Sequence, residues 1–267
     1  MANLVFSGTL KKMTVQLSEE VQYALNSKTH TVLLNNLLGK KIEIKYSGDI
    51  FCMHCGRKTR KSYGQGFCFP CFQTAPEADL SIMKPELDQA HLGISRDMEW
   101  AKTHSLVDHY VYLALSSSVK VGITRYNQIP TRWIDQGAIK AIRIAKVPYR
   151  QLSGLIEIAL KKHFSDTTNW RKMLSNTIDE IDILAEKEKA LKAIPKDYKT
   201  YIIDDQVTTI HYPVLEYPTK VKSLSLDKEA TITSTLKGIK GQYLILDEGK
   251  VLNIRKHSGY SVSITEL

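Results

Sequence analysis

Short apolar runs broken by Gly and Asn open the chain. Leu4-Val5-Phe6 precedes Ser7-Gly8, residues 31–34 precede Asn35-Asn36, and residues 41–46 precede Ser47-Gly48. This rhythm predicts short antiparallel strands over residues 1–51. Residues 74–104 carry Pro76, Pro85 and six acids, and predict a connector with a helical turn or two. At His109 the pattern sharpens. Residues 110–115 and 119–124 alternate around Ser116-Ser117-Ser118, which predicts a β-hairpin. Two helical patterns follow. The first covers about residues 153–164, with Leu155, Ile156, Ala159 and Leu160 on one face. The second runs from Trp170 to about Ala193, with Leu174, Ile178, Ile181, Leu184 and Leu191 at amphipathic spacing and Pro195 beyond its end. Strand texture then returns, and residues 243–246 and 250–254 around Asp247-Glu248-Gly249 predict a second hairpin. No internal repeat or low-complexity tract interrupts the chain. The expectation is an α+β protein with a β element over 1–51, a cysteine module over 52–75, a connector over 76–104, an α/β core over 105–195 and a β element over 196–267.

All four cysteines fall in the module, spaced C-x2-C-x12-C-x2-C as Cys52, Cys55, Cys68 and Cys71. Each C-x2-C pair turns two thiolates toward one ion, and Gly56 after the first pair lets the backbone turn beneath the sulfurs. Two such knuckles complete a tetrahedral site with no open position, the mark of structural zinc rather than a catalytic metal. A redox pair needs only one C-x2-C and a βαβ context. His54 lies between the first two cysteines, where a solvated role competes with ligation. Arg57, Lys58, Arg60, Lys61 and Tyr63 fill the loop between the knuckles. Basic groups beside an aromatic suit a phosphate backbone and a stacked base, and a merely solvated loop has the same composition.

Charge adds a partner class. The 267 residues carry a net charge of +9 with a pI near 9.2, which favours phosphate-rich partners. Most of the excess lies in residues 106–175, which hold 11 Lys and Arg against 4 acids. Arg125, Arg143, Lys146, Arg150 and Arg171 are its candidate phosphate ligands, and a solvated basic face is the competing explanation. The N-terminus has no basic region followed by a long apolar run, and no stretch approaches a membrane span. A cytoplasmic, soluble protein with no membrane partner is the expectation.

Tyr110-Val111-Tyr112, then seven residues, then Lys120-Val121-Gly122, followed by Thr124, Arg132, Glu157 and Asn169, resembles the GIY-YIG nuclease superfamily. Members share a small α/β core whose first two strands carry two three-residue motifs. An arginine follows on the next helix, a metal-binding glutamate on a later one, and an asparagine about a dozen residues after that. The resemblance covers roughly residues 105–195. It implies a catalytic set of Tyr112, Lys120, Arg132, Glu157 and Asn169, with Glu157 holding Mg or Mn. The first motif here lacks its glycine and the second lacks its tyrosine, so Lys120 could accept a proton only with a depressed pKa. The whole chain, with its C-x2-C-G ribbon, HYVYLALSSSVKVGITR and IPTRWIDQGA, is also similar to the family DUF2797.

Each site residue has a plainer role open to it. Glu157 with Lys161 forms an i,i+4 pair, Asn169 suits a helix cap, and Tyr112 suits a core aromatic. Three functional readings therefore stand: a metal-dependent nuclease acting on DNA or RNA, a non-catalytic binder of structured RNA or a ribonucleoprotein, and a protein-interaction scaffold.

Overall fold

The computed structural model describes residues 2–27 and 30–267. Met1, Lys28 and Thr29, within the expected N-terminal β element, lie outside the described residues. The first strands are β1 (Asn3–Thr9), β2 (Thr14–Gln16), β3 (Gln22–Asn26), β4 (Thr31–Leu33), β5 (Lys41–Phe51) and β6 (Lys58–Thr59). Helices α1 (Phe69–Thr74), α2 (Leu80–Met83) and α3 (Met98–His104) lead to β7 (His109–Leu115) and β8 (Val119–Arg125). Then come α4 (Thr131–Asp135), β9 (Lys140–Val147), α5 (Arg150–Leu160), α6 (Trp170–Leu174) and α7 (Ile183–Ala193). The chain finishes with β10 (Thr208–Thr209), β11 (Lys222–Ser223), β12 (Thr231–Lys240), β13 (Tyr243–Leu246), β14 (Lys250–Asn253) and β15 (Tyr260–Glu266). Strand pairing between these elements is antiparallel except for β11 with β14, and the fold class is α+β.

The chain divides into two compact units. The first comprises residues 1–73, 174–176 and 211–267. Its main sheet runs β1-β15-β5-β12-β13-β14-β11, with β6 also paired to β5, and a separate sheet runs β2-β3-β4. Alternation places Ile42 and Ile44 of β5, Ile232 and Leu236 of β12, and Val262 and Ile264 of β15 in the core, each worth roughly 1.5–3 kcal/mol of burial. Lys41 and Lys45 take the opposite, exposed phase of β5. The hairpin expected at residues 243–254 forms, with Leu244 facing Leu252 and Ile245 facing Val251.

Lys240 ends β12 with 0% of its surface exposed. Its Nζ donates to Asn176 Oδ1 at 3.0 Å and stands 5.3 and 5.2 Å from the rings of Tyr212 and Tyr217. Neutral partners compensate a buried ammonium only in part, so burial lowers the Lys240 pKa from the ordinary 10.5 to about 8.

The second unit comprises residues 74–173 and 177–210. Its sheet runs β10-β9-β7-β8, so β7 is flanked by its hairpin partner β8 and by β9. Val111, Leu113, Leu115, Val119 and Val121 form one apolar face and pack with Leu152, Ile156 and Leu160 of α5 and Ile183 and Ala190 of α7. The alternate positions Tyr112, Lys120 and Gly122 point the other way. Helix α5 starts three residues before the expected 153, and its buried i,i+4 line is Leu152, Ile156 and Leu160 rather than a face containing Leu155 and Ala159.

The single helix expected over residues 170–193 is two short ones, α6 and α7. Asn176 adopts a left-handed φ of 54°, and the Asp182 side chain caps α7 by accepting from Leu184 N at 2.9 Å. Ile178 and Ile181, which suggested helical spacing, pack on the same core from the non-helical link, while Leu184 is exposed. An apolar residue every three or four positions marks contact with a core, and an irregular segment satisfies that as well as a helix.

Lys240 has a testable pH signature. Its folded-state pKa lies below its unfolded value, so between about pH 8 and 10.5 the unfolded chain binds more protons and stability climbs with pH. The cost is fully present below pH 8 and amounts to about 3 kcal/mol. Lys240→Met should therefore raise unfolding free energy relative to wild type at pH 7, with the advantage shrinking toward pH 10. Denaturant unfolding at several pH values checks this, and a pH-independent difference would contradict it.

Candidate functional site

The cysteine module grows directly out of β5. Cys52 follows the last residue of the strand, its N–H donates to Arg57 O at 2.8 Å, and Gly56 N–H returns to Cys52 O at 2.9 Å. β6 then folds back on the end of β5, with Ile50 opposite Thr59 and Phe51 opposite Lys58. Cys68 and Cys71 arrive from the start of α1, where Phe72 N–H donates to Cys68 O at 2.9 Å. All four sulfurs lie within 4.8 Å of one another, and among the described residues this is the one cluster of three or more metal-ligating side chains.

A tetrahedral site with zinc–sulfur bonds of about 2.3 Å has sulfur–sulfur edges of about 3.8 Å. Cys55 Sγ and Cys68 Sγ are 3.8 Å apart. The donor set is therefore compatible with zinc, and four sulfurs leave no coordination site for substrate. Burial and competing thiols push Cys71 up to about 12. Burial also raises Cys52, but the backbone N–H groups of Cys55, Cys68 and His54 outweigh it and hold it near 6. His54 is exposed.

The second unit brings four of the five expected catalytic residues into one electrostatic group. Tyr112 on β7 lies directly opposite Gly122 on β8. A Cβ at residue 122 would stand 2.7 Å from the Tyr112 hydroxyl, so the second motif's glycine makes room for the first motif's tyrosine. Trp133 of α4 meets the Tyr112 ring edge-on at 6.1 Å. The Tyr112 hydroxyl donates to Gln136 Oε1 at 3.1 Å. Burial raises its pKa even though Arg132 and Gln136 act to lower it, so the phenol keeps its proton.

Lys120 is 5% exposed. Burial and then the Arg132 charge lower its pKa to about 8, against the opposing pull of Glu157 and Asp166. Depression of that kind is the condition under which Lys120 becomes a proton acceptor. Glu157 is 8% exposed. Burial raises its pKa, Lys161 at 3.6 Å from Oε2 lowers it, and Asp166 raises it again. Lys161 is shared with Asp166 at 3.0 Å. Ser165, the neighbour of Asp166, lies along the outer edge of β8, where its carbonyl accepts from Val121 N at 2.9 Å.

Asn169 has another engagement. Its Oδ1 accepts from Lys172 N at 3.1 Å and caps α6, the plainer of its two expected roles. Gln136 escaped the sequence reading, although it lies inside the quoted IPTRWIDQGA.

The expected phosphate ligands differ in how far the fold occupies them. Arg143 is bidentate to Asp205 at 2.6 and 2.9 Å and stacks over Tyr110 at 4.7 Å. Lys146 pairs with Asp108 at 2.7 Å. Arg150 donates to Ile82 O at 3.0 Å and lies 3.8 Å from Asp88. Arg125 is half-buried and donates to Thr103 O at 3.4 Å. Arg171 is exposed and stacks on Trp170 at 4.3 Å. In the cysteine module, Arg57, Arg60 and Lys61 are exposed, while Lys58 pairs with Asp49 at 2.5 Å.

The chain belongs to the family described as "Protein of unknown function (DUF2797)", whose model matches residues 39–262. That span takes in the cysteine module, the β7–β8 hairpin and Glu157. Neither the curated proteins nor the solved structures contain a match to this sequence. Among the described residues, no helix is long and apolar enough to cross a membrane.

Two outcomes follow from this geometry. Metal analysis of the purified chain should find about one zinc, and Cys55→Ser should lose it and cost a few kcal/mol of stability; a metal-free protein of unchanged stability would refute the assignment. Gly122→Ala should drive the Tyr112 ring off Gln136 and cost about 1–3 kcal/mol. Thermal unfolding measures that cost, and a fully neutral substitution would contradict the close packing.

Proposed function

We propose that this protein binds nucleic acid and cleaves phosphodiester bonds at the group formed by Tyr112, Lys120, Arg132 and Glu157, with a GIY-YIG-like core as the scaffold. The observation that carries the reading is a buried lysine whose pKa is lowered to about 8 by burial and by Arg132, against the opposing charge of a buried, desolvated glutamate. Perturbed titratable groups of this kind are typical of reaction sites. The placement of the parts supports it: both three-residue motifs lie side by side on β7 and β8, Arg132 sits on the next helix, and Glu157 on a later one.

The roles follow from charge and proton state. Arg132 neutralises charge that develops on a phosphate. Lys120 releases its proton near pH 8 and then accepts one from the attacking water. Tyr112 stays protonated, its hydroxyl donating to Gln136. Glu157 is the residue that would hold Mg or Mn, since Mg is commonly bound by one or two carboxylates together with substrate phosphates and water. When bound, the cation supplies Lewis-acid stabilisation of the phosphate. Arg125 and Arg171, in the same unit as the group, pair with phosphates of the backbone.

A non-catalytic binder is the second reading, and the full burial of Tyr112 together with its bond to Gln136 favours it. The experiment that separates them measures binding and Mg- or Mn-dependent cleavage of DNA and RNA by wild type and Glu157→Ala. The proposal expects wild-type cleavage that rises with pH through about 8 and disappears in Glu157→Ala, with affinity retained within about tenfold because a carboxylate repels phosphate without its cation. Salt-sensitive binding with no wild-type cleavage would select the binder, and no binding at all would refute both.

A further inference from the structure

Residues 56–73 contain Arg57, Lys58, Arg60 and Lys61 and no acid. With Thr59, Tyr63, Cys68, Phe69 and Pro70 these side chains line an open groove of about 420 Å³, within the ~300–1,000 Å³ range of small-ligand clefts. Its wall is aromatic. The Tyr63 ring lies 5.4 Å from Phe69 and 6.1 Å from Phe72, with Lys61 Nζ 5.3 Å over it. Phe69 is 50% exposed and Phe72 40%, so two phenyl rings meet water beside three exposed cations. The four sulfurs close the metal's own coordination sphere, which leaves this outer surface as the part of the module that can meet a ligand.

We infer that the groove is a subsite for unpaired nucleotides of a single strand, with a base stacked on Phe69 and phosphates paired with Arg57, Arg60 and Lys61. The inference rests on the nucleic-acid-binding reading above and narrows it. Stacking on a phenyl ring requires an open base face, which a duplex keeps inside its own stack and a single strand presents. The exposed Arg57, Arg60 and Lys61 supply the charge that a phosphate backbone complements. An acidic peptide would meet the cations and leave the exposed rings unused.

The test compares affinities of the zinc-loaded full chain for a short oligouridylate, an oligothymidylate and a duplex at one salt concentration. Two variants are measured: Phe69→Ala and the double variant Arg57→Ala with Arg60→Ala, each checked for zinc content. Phe69→Ala should weaken single-strand binding at least about fivefold and leave duplex binding within about twofold. The double variant should weaken single-strand binding and flatten its salt dependence. A preference for the oligouridylate would mark RNA as the source, and equal loss on both strands a sugar-blind site. Unchanged single-strand affinity in both variants, with wild type binding normally, overturns the groove and leaves the nucleic-acid reading standing. Losses that are equal for single strand, duplex and polyglutamate overturn base stacking in favour of bare charge. Wild type that binds no nucleic acid overturns both the inference and the reading beneath it.

Discussion

The eleven-residue strand β5 is paired along both edges, to β15 over residues 42–50 and to β12 over residues 41–45. Both partners come from the last forty residues of the chain, so the first unit cannot close until its two ends meet. The cost of such long-range closure is entropic and grows only slowly with loop length, and the interleaved burial of Ile42, Ile44, Ile232, Leu236, Val262 and Ile264 offsets it. The cysteine module depends on the same ladder. Cys52 is the next residue after β5, and β6 pairs back onto the strand's end, so the first knuckle leaves a rigid support. Metal binding then adds to an arrangement the sheet has already begun to organise.

In the second unit, the sheet separates two jobs by alternation. One phase of β7 and β8 supplies Val111, Leu113, Val119 and Val121 to the core. The other supplies Tyr112, Lys120 and the bare backbone of Gly122. Placing Lys120 and Glu157 out of water works against stability, because each ion loses hydration that distant opposite charges repay only in part. Burial accordingly lowers the Lys120 pKa and raises that of Glu157. Glu157 lies 3.6 Å from Lys161, which approaches Asp166 more closely.

The basic surplus of residues 106–175 looks different once partners are visible. Arg143 is tied to Asp205, 62 residues away in sequence, and Lys146 and Arg150 have acids and carbonyls of their own. A local count of charges could not see these pairs, since the neutralising acids lie outside the window or far along it. Exposed cations also stand in the cysteine module, where Arg57, Arg60 and Lys61 lie near rings that remain half in water.

Local features were legible from the residues alone. Alternation around the three serines specified the β7–β8 hairpin, because a side chain's face in a strand depends only on parity. The paired C-x2-C motifs specified a four-sulfur cluster, because spacing within a tight turn limits where thiols can point. Asn169 was suited to a cap by chemistry. What needed tertiary structure was everything set by contacts distant in sequence: the joining of β1 and β5 with β12 and β15 into one sheet, the break between α6 and α7, the Arg143–Asp205 pair, and the depressed pKa of Lys120. Burial belongs to this second group. A sequence shows that a lysine can titrate, but the surrounding fold removes the water, and that loss of hydration moves Lys120 from its ordinary range to about 8.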